Sequence, residues 1–114
     1  MIIKAGLRLT AVLFLGLAGT APVQAEVDAE AAKALAKRND CFKCHAIDKT
    51  RKAPPYKRIA GRLKTKPDGV EVIVEHITTG PMIEFQDGTS DRHKIIDTKD
   101  PDELKNLAQW ILSL

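Results

Sequence analysis

The chain reads as an all-α protein of four to five helices, and three observations predict this. Aspartates, first-turn glutamates and prolines stand where helices begin. Apolar residues recur at three- and four-residue steps behind them, and short polar, Gly-Pro or Pro-Pro stretches separate the segments. At 114 residues the chain has room for one domain at most.

The first segment looks removable. Met1 to Arg8 carries Lys4 and Arg8, an apolar stretch runs from Leu9 to Ala18, and Val23-Gln24-Ala25 ends in small residues. This is the layout of a secretory signal peptide, residues 1–25, cleaved after Ala25. The apolar run stops at Val23 and is broken by Gly16, short of the roughly 20 residues a spanning helix needs. The functional domain is then residues 26–114, exported and not membrane-embedded after cleavage.

Residues 28–39 form the first expected helix, with Asp28 as its cap, Glu30 in the first turn, a narrow apolar stripe of Ala31, Leu35 and Ala36, and Lys37, Arg38 and Asn39 closing it. The small alanines suit close packing on another helix. After a polar loop, residues 46–52, the prolines of Ala53-Pro54-Pro55-Tyr56 remove two donors and cannot be helix interior. Pro55 can open a second helix at its first position, with Tyr56, Ile59, Ala60 and Leu63 on one face. Lys64 to Pro67 end it.

In the third helix Asp68 and Glu71 make a capping box, Val70, Ile73, Val74 and Ile77 repeat at helical spacing, and Gly80-Pro81 stop it. His76 lies off that stripe and reads as a solvated surface histidine. Residues 81–99 show few periodic positions and read as a long loop, which in a small domain usually carries function. Asp100-Pro101-Asp102-Glu103 opens the last helix, whose buried stripe is Leu104, Leu107, Ala108, Ile111 and Leu112, with Trp110 on a flank.

Chemistry concentrates at Asn39-Asp40-Cys41-Phe42-Lys43-Cys44-His45. Two cysteines three apart, with a histidine directly after the second, is the pattern of covalent c-type haem attachment. Each thiolate can add to one haem vinyl group while the imidazole reaches the iron as proximal ligand. Positions three and four apart share a helical face, so Cys41, Cys44 and His45 can all address one macrocycle. A thioredoxin-like disulfide expects a preceding strand, whereas helix-forming Ala, Lys and Glu precede Cys41. Zinc needs four ligands, and a second cysteine pair is missing.

Composition agrees with a haem core. Phe42, Tyr56, Phe85 and Trp110 are thin aromatic mass for residues 26–114, and small domains bury a modest share of their surface. A buried haem would supply the apolar bulk, so the haem-free chain is expected to fold poorly.

Charge excludes one class of partner and suggests another. Removing Lys4 and Arg8 from 18 basic residues leaves 16 against 15 acidic ones, net +1, so nothing points to nucleic acid. Residues 33–66 hold twelve Lys/Arg against Asp40 and Asp48, whereas residues 67–114 hold four against ten acids. The basic half contains the haem motif. It could steer redox partner proteins that present an acidic docking surface.

With a helix at each end, the motif after the first, the proline-rich turn and the terminal Asn106-Leu-Ala-Gln-Trp-Ile-Leu-Ser-Leu114, residues 26–114 resemble the small bacterial class I cytochromes c. The resemblance implies one covalent haem c wrapped by the helices, first and last helices that cross, and a proline carbonyl that holds the proximal histidine. Pro54 matches that proline, although Ala53 stands where the family usually has glycine. It also implies a distal methionine, and here the chain departs from the pattern. Counting back from Trp110, Met82 is too distant and His93 is nearer the family's slot. Met82, two residues past Gly80, reaches at most about 7 Å, while His93, thirteen past it, reaches about 40 Å around the haem edge. His45 and His93 are therefore the favoured iron ligands, with Met82 the alternative and a labile distal site a third possibility.

Imidazole on both faces implies a lower potential than a thioether would give. The expected function is non-enzymatic one-electron transport in the periplasm. A gas-binding or peroxidase-like haem protein would need a labile distal site, and a small haem subunit of a periplasmic dehydrogenase would be a carrier that is not free.

Overall fold

In a computed structural model, residues 2, 11–19 and 26–114 are described. Lys4, Arg8 and the Val23-Gln24-Ala25 site of the signal-peptide reading lie outside them. Among the described residues no helix is long and apolar enough to cross a membrane.

Four α-helices form the domain: α1 Ala29–Arg38, α2 Tyr56–Leu63, α3 Gly69–Thr79 and α4 Pro101–Leu112, with one 3-10 turn at Cys41–Lys43. The terminal helix α4 packs against all three others. Its buried side chains are Leu104, Leu107, Ala108, Trp110 and Ile111, while Leu112 is half-buried. Trp110 is therefore core rather than flank: Phe42 and Tyr56 meet it edge-on from the haem-motif turn and from α2, at ring-centroid distances of 6.5 and 5.8 Å.

Helix α1 buries Ala32, Leu35 and Ala36 against α4, and its absence of bulk lets the helices approach. Ala32, not Ala31, joins the stripe, because position 32 lies three before 35 and four before 36. The crossing is tied at one end by a reciprocal pair: the Asp28 amide donates to Asn106 Oδ1 at 2.9 Å, and Asn106 Nδ2 donates to the Asp28 carbonyl at 2.8 Å. Asp28 and Asp100 cap α1 and α4 as their positions require, accepting from Ala31 and Asp102 amides. Glu103 does not reach back to complete a box and instead accepts from the Thr98 hydroxyl.

Two starts differ from the sequence reading. Pro55 is the residue before α2, with extended backbone (φ −65°, ψ 149°), and the free amides of Tyr56 and Lys57 donate to the carbonyls of Ala46 and Ile47, 2.9 and 3.0 Å away. Asp68 makes no side-chain cap, because the chain enters α3 from a tight turn and leaves Asp68 at φ −102°, ψ 17°, outside the extended conformation a cap uses. What shapes that entry is Gly69. A Cβ there would lie 2.5 Å from the Leu63 carbonyl oxygen, so only glycine lets the end of α2 approach this closely.

The segment 81–99 is not structureless. Met82–Glu84 and Ser90–Arg92 pair antiparallel, with Met82 opposite Arg92, around a turn at Asp87-Gly88. This hairpin cancels the reach expected of thirteen residues. The chain returns to its start, and the His93 amide donates to the Pro81 carbonyl at 2.8 Å. Beyond it, the Ile96 amide donates to the Ile77 carbonyl at 2.9 Å, and Ile96 enters the core.

Candidate functional site

The turn after α1 starts with Asp40 in the left-handed region (φ 58°), which swings the chain off the helix axis and into the 3-10 turn. That reversal sets Cys41, Cys44 and His45 together, and all three are half-buried. Cys41 and Cys44 are not joined to each other in a disulfide. Burial pushes the Cys41 thiol up, with the Tyr56 hydroxyl acting against it.

The His45 ring is fixed on two sides. Its Nδ1 lies 2.7 Å from the Pro54 carbonyl, and the ring stacks on Tyr56 at 4.9 Å with 16° between planes. With Nδ1–H donating to a carbonyl, Nε2 is the nitrogen free to bind iron. Burial also holds the imidazole below its ordinary value, the Pro54 contact opposing and His93 adding a little, which favours the neutral ligating form.

Across from it stands His93, half-buried, its ring centroid 6.3 Å from that of His45 and tilted by 46°. Its own Nδ1 lies 2.9 Å from the Lys94 carbonyl, so here too Nε2 remains. Two metal–imidazole bonds of about 2 Å each, with two ring half-widths of about 1.1 Å, span about 6 Å. The centroid separation of the pair is of that size. Met82 is placed differently: it is 61% exposed on the first strand of the hairpin.

The structure thus brings together Cys41, Cys44, His45, Pro54 and His93, while Met82 lies exposed on the hairpin opposite Arg92. It adds His76, whose ring meets that of His93 at 4.4 Å and 65°. His76 is exposed, as its place off the apolar stripe implied, yet it is not isolated. Its position in α3 could not reveal this, because the partner arrives through the hairpin. The other residues sequence reasoning passed over are Asn39 and Asp97. Buried Asn39 donates from Nδ2 to the Asp97 carboxylate (3.0 Å) and accepts at Oδ1 from the Asp97 amide (2.9 Å), while Arg38 grips the same carboxylate at 3.0 and 3.2 Å. This clamp joins the residue two before Cys41 to the residue four after His93.

Residues 29–114 match the family described as Cytochrome c. The chain belongs to the cytochrome c family. Cytochrome c-551 of Pseudomonas denitrificans is 30% identical over 80 residues, covering 70% of this chain and 93% of that one. The crystal structure of the class 1 cytochrome MtoD from Sideroxydans lithotrophicus ES-1 superposes with a TM-score of 0.74 at 44% identity, over 77% of this chain and 97% of that one. Cytochrome c552 of Nitrosomonas europaea gives 0.55 at 26% identity, over 71% and 96%. This cytochrome is thus a small class I electron carrier whose family binds haem c covalently, and it carries the attachment signature at Cys41, Cys44 and His45.

Proposed function

We propose that this cytochrome is a periplasmic one-electron carrier with histidine on both faces of the iron, His45 proximal and His93 distal. The spacing of the two rings supports the reading, because both imidazoles have Nδ1 occupied by a backbone carbonyl and Nε2 left over. Cys41 and Cys44 would hold the macrocycle through thioethers, and Pro54 sets the tautomer and rotation of His45.

When bound, the haem supplies a one-electron Fe(III)/Fe(II) couple. The chain's contribution is to keep the environment of that couple constant. Tyr56 and Pro54 fix one ring and the hairpin's return fixes the backbone of the other; with both imidazoles on the iron, neither haem face would be left for a substrate, as a carrier requires. Residues 1–25 act as a cleaved export signal and residues 26–114 as the mature domain, in keeping with haem attachment outside the cytoplasm.

Docking falls to the basic half. Lys33, Arg38 and Lys43 pair with Glu30, Asp97 and Asp40, but among the described residues Lys37, Lys49, Lys57, Arg62, Lys64 and Lys66 have no carboxylate partner. These are available to an acidic surface on a redox partner.

An absorption spectrum of the exported protein, oxidised and reduced, tests the ligand set. The weak far-red band of thioether-ligated ferric haem should be absent from the wild type and from Met82→Ala, and His93→Ala should lose the six-coordinate low-spin spectrum. A far-red band that disappears in Met82→Ala would replace His93 by Met82. Rapid CO binding to the reduced wild type at neutral pH would favour the labile distal site instead.

A further inference from the structure

His93 owes its backbone position to α3. Gly80, at the end of that helix, has φ +61°, and a Cβ on it would lie 2.9 Å from the His93 carbonyl oxygen. The absence of a side chain there lets the chain that carries His93 lie directly on the helix end, where the His93 amide donates to the Pro81 carbonyl and the Ile96 amide to that of Ile77. These bonds fix where the side chain begins. They do not fix the two side-chain torsions that rotate its ring.

Three contacts are available to the ring itself. One is the Lys94 carbonyl, one residue along the chain, which accepts from Nδ1 and holds one point of the ring. A second is His45, whose ring lies 6.3 Å away across the metal position. The third is His76, 4.4 Å away and edge-to-face at 65°, held on α3 one turn before Gly80. That helix is anchored by buried Ile73 and by the bond from Ile96 to Ile77, so His76 is the one of the three that stands on another element than the His93 segment and is not itself read as an iron ligand.

We propose that His76 is a positioning residue for the distal ligand: its ring edge sets the rotation of the His93 imidazole about the axial direction, and hence the angle between the two axial ring planes. The proposal rests on the bis-histidine reading. It adds to that reading what selects one ring orientation. Axial imidazole planes matter electronically because the π orbital of each ring splits the iron d orbitals along its own direction, so the g anisotropy of the ferric low-spin state reports the angle between them.

The test is electron paramagnetic resonance on frozen, oxidised holoprotein, for wild type, His76→Ala, His76→Phe and His76→Gln. Wild type should give one low-spin ferric signal. In His76→Ala that signal should shift at its low-field edge and spread into more than one component, and His76→Phe, which keeps a ring edge, should restore a single signal. His76→Gln should resemble the alanine variant. Wild-type g values and line width in His76→Ala would overturn the proposal, as would rescue by Gln and not by Phe. Should His76→Ala fail to assemble with haem, the Phe and Gln pair still decides. Failure of the underlying reading shows earlier and differently, as a far-red thioether band in the wild type before any variant is made.

Discussion

Replacing Asn39 by alanine should be among the most destabilising single changes available outside the haem ligands. The side chain is 2% exposed and makes three hydrogen bonds, from Nδ2 to the Leu35 carbonyl and the Asp97 carboxylate, both at 3.0 Å, and to Oδ1 from the Asp97 amide at 2.9 Å. At about 1 kcal/mol net for each bond, the loss comes to about 3 kcal/mol. A domain of this size shifts its melting temperature by about 4–8 °C for each kcal/mol, so Asn39→Ala should melt about 12–24 °C below the wild type. Asn39→Asp should also lose stability, because it keeps the acceptor for the Asp97 amide but sets a second negative charge against the Asp97 carboxylate. Arg38→Ala removes only the exposed part of the same cluster and should have a much smaller effect. Thermal unfolding of the oxidised holoprotein, followed by far-ultraviolet circular dichroism, checks all three. A shift under about 4 °C in Asn39→Ala would refute the view that this buried amide, rather than the Arg38–Asp97 ion pair, holds the distal segment to α1.

Two glycines should respond oppositely to the same change. Gly69→Ala should destabilise by about 1–3 kcal/mol, because its Cβ would meet the Leu63 carbonyl, while Gly61→Ala, exposed in α2 with nothing within 4 Å, should stabilise by about 0.5–1 kcal/mol, both read from denaturant midpoints. Arg38 and Asn39 hold the Asp97 carboxyl below the usual carboxylate range. Its contribution is then present above about pH 4, the unfolded value, and is lost as pH falls from there through the folded value, so the stability gap between wild type and Asp97→Asn should close on acidification. Electron-transfer rates with an acidic partner should fall as salt rises, and a flat profile would remove the steering role of the basic half. Haem-free Cys41→Ala/Cys44→Ala protein should lack a cooperative thermal transition.

Much of the fold was legible because helix ends carry local chemistry. Asp28, Asp100 and Pro101 act within a few residues of themselves, so their roles survive without knowledge of the rest of the chain. Asp68 carried the same signal and misled, since the conformation that a cap needs was overridden by the tight packing of Gly69 on Leu63. The hairpin was hidden for another reason. Ser90-Asp91-Arg92 is polar throughout and its strand is exposed on every residue, so no hydrophobic alternation marks it, and the Asp87-Gly88 turn was the one available cue. The site divides along the same line. Cys41, Cys44 and His45 are adjacent in sequence and readable as a motif, whereas the meetings of Asn39 with Asp97 and of His76 with His93 depend on how distant segments return.

The bonds from Tyr56 and Lys57 back to Ala46 and Ile47, together with the Ala53 amide donating to Cys44, stitch the connector between the haem motif and α2 into a closed loop of set length. Adding or deleting a residue at either stitched end would slide the Pro54 carbonyl off the imidazole it grips. The exposed tip at Asp48-Lys49-Thr50 makes no such backbone bond, and it is there that a peptide tag or a tether to an electrode could be spliced in without disturbing the iron.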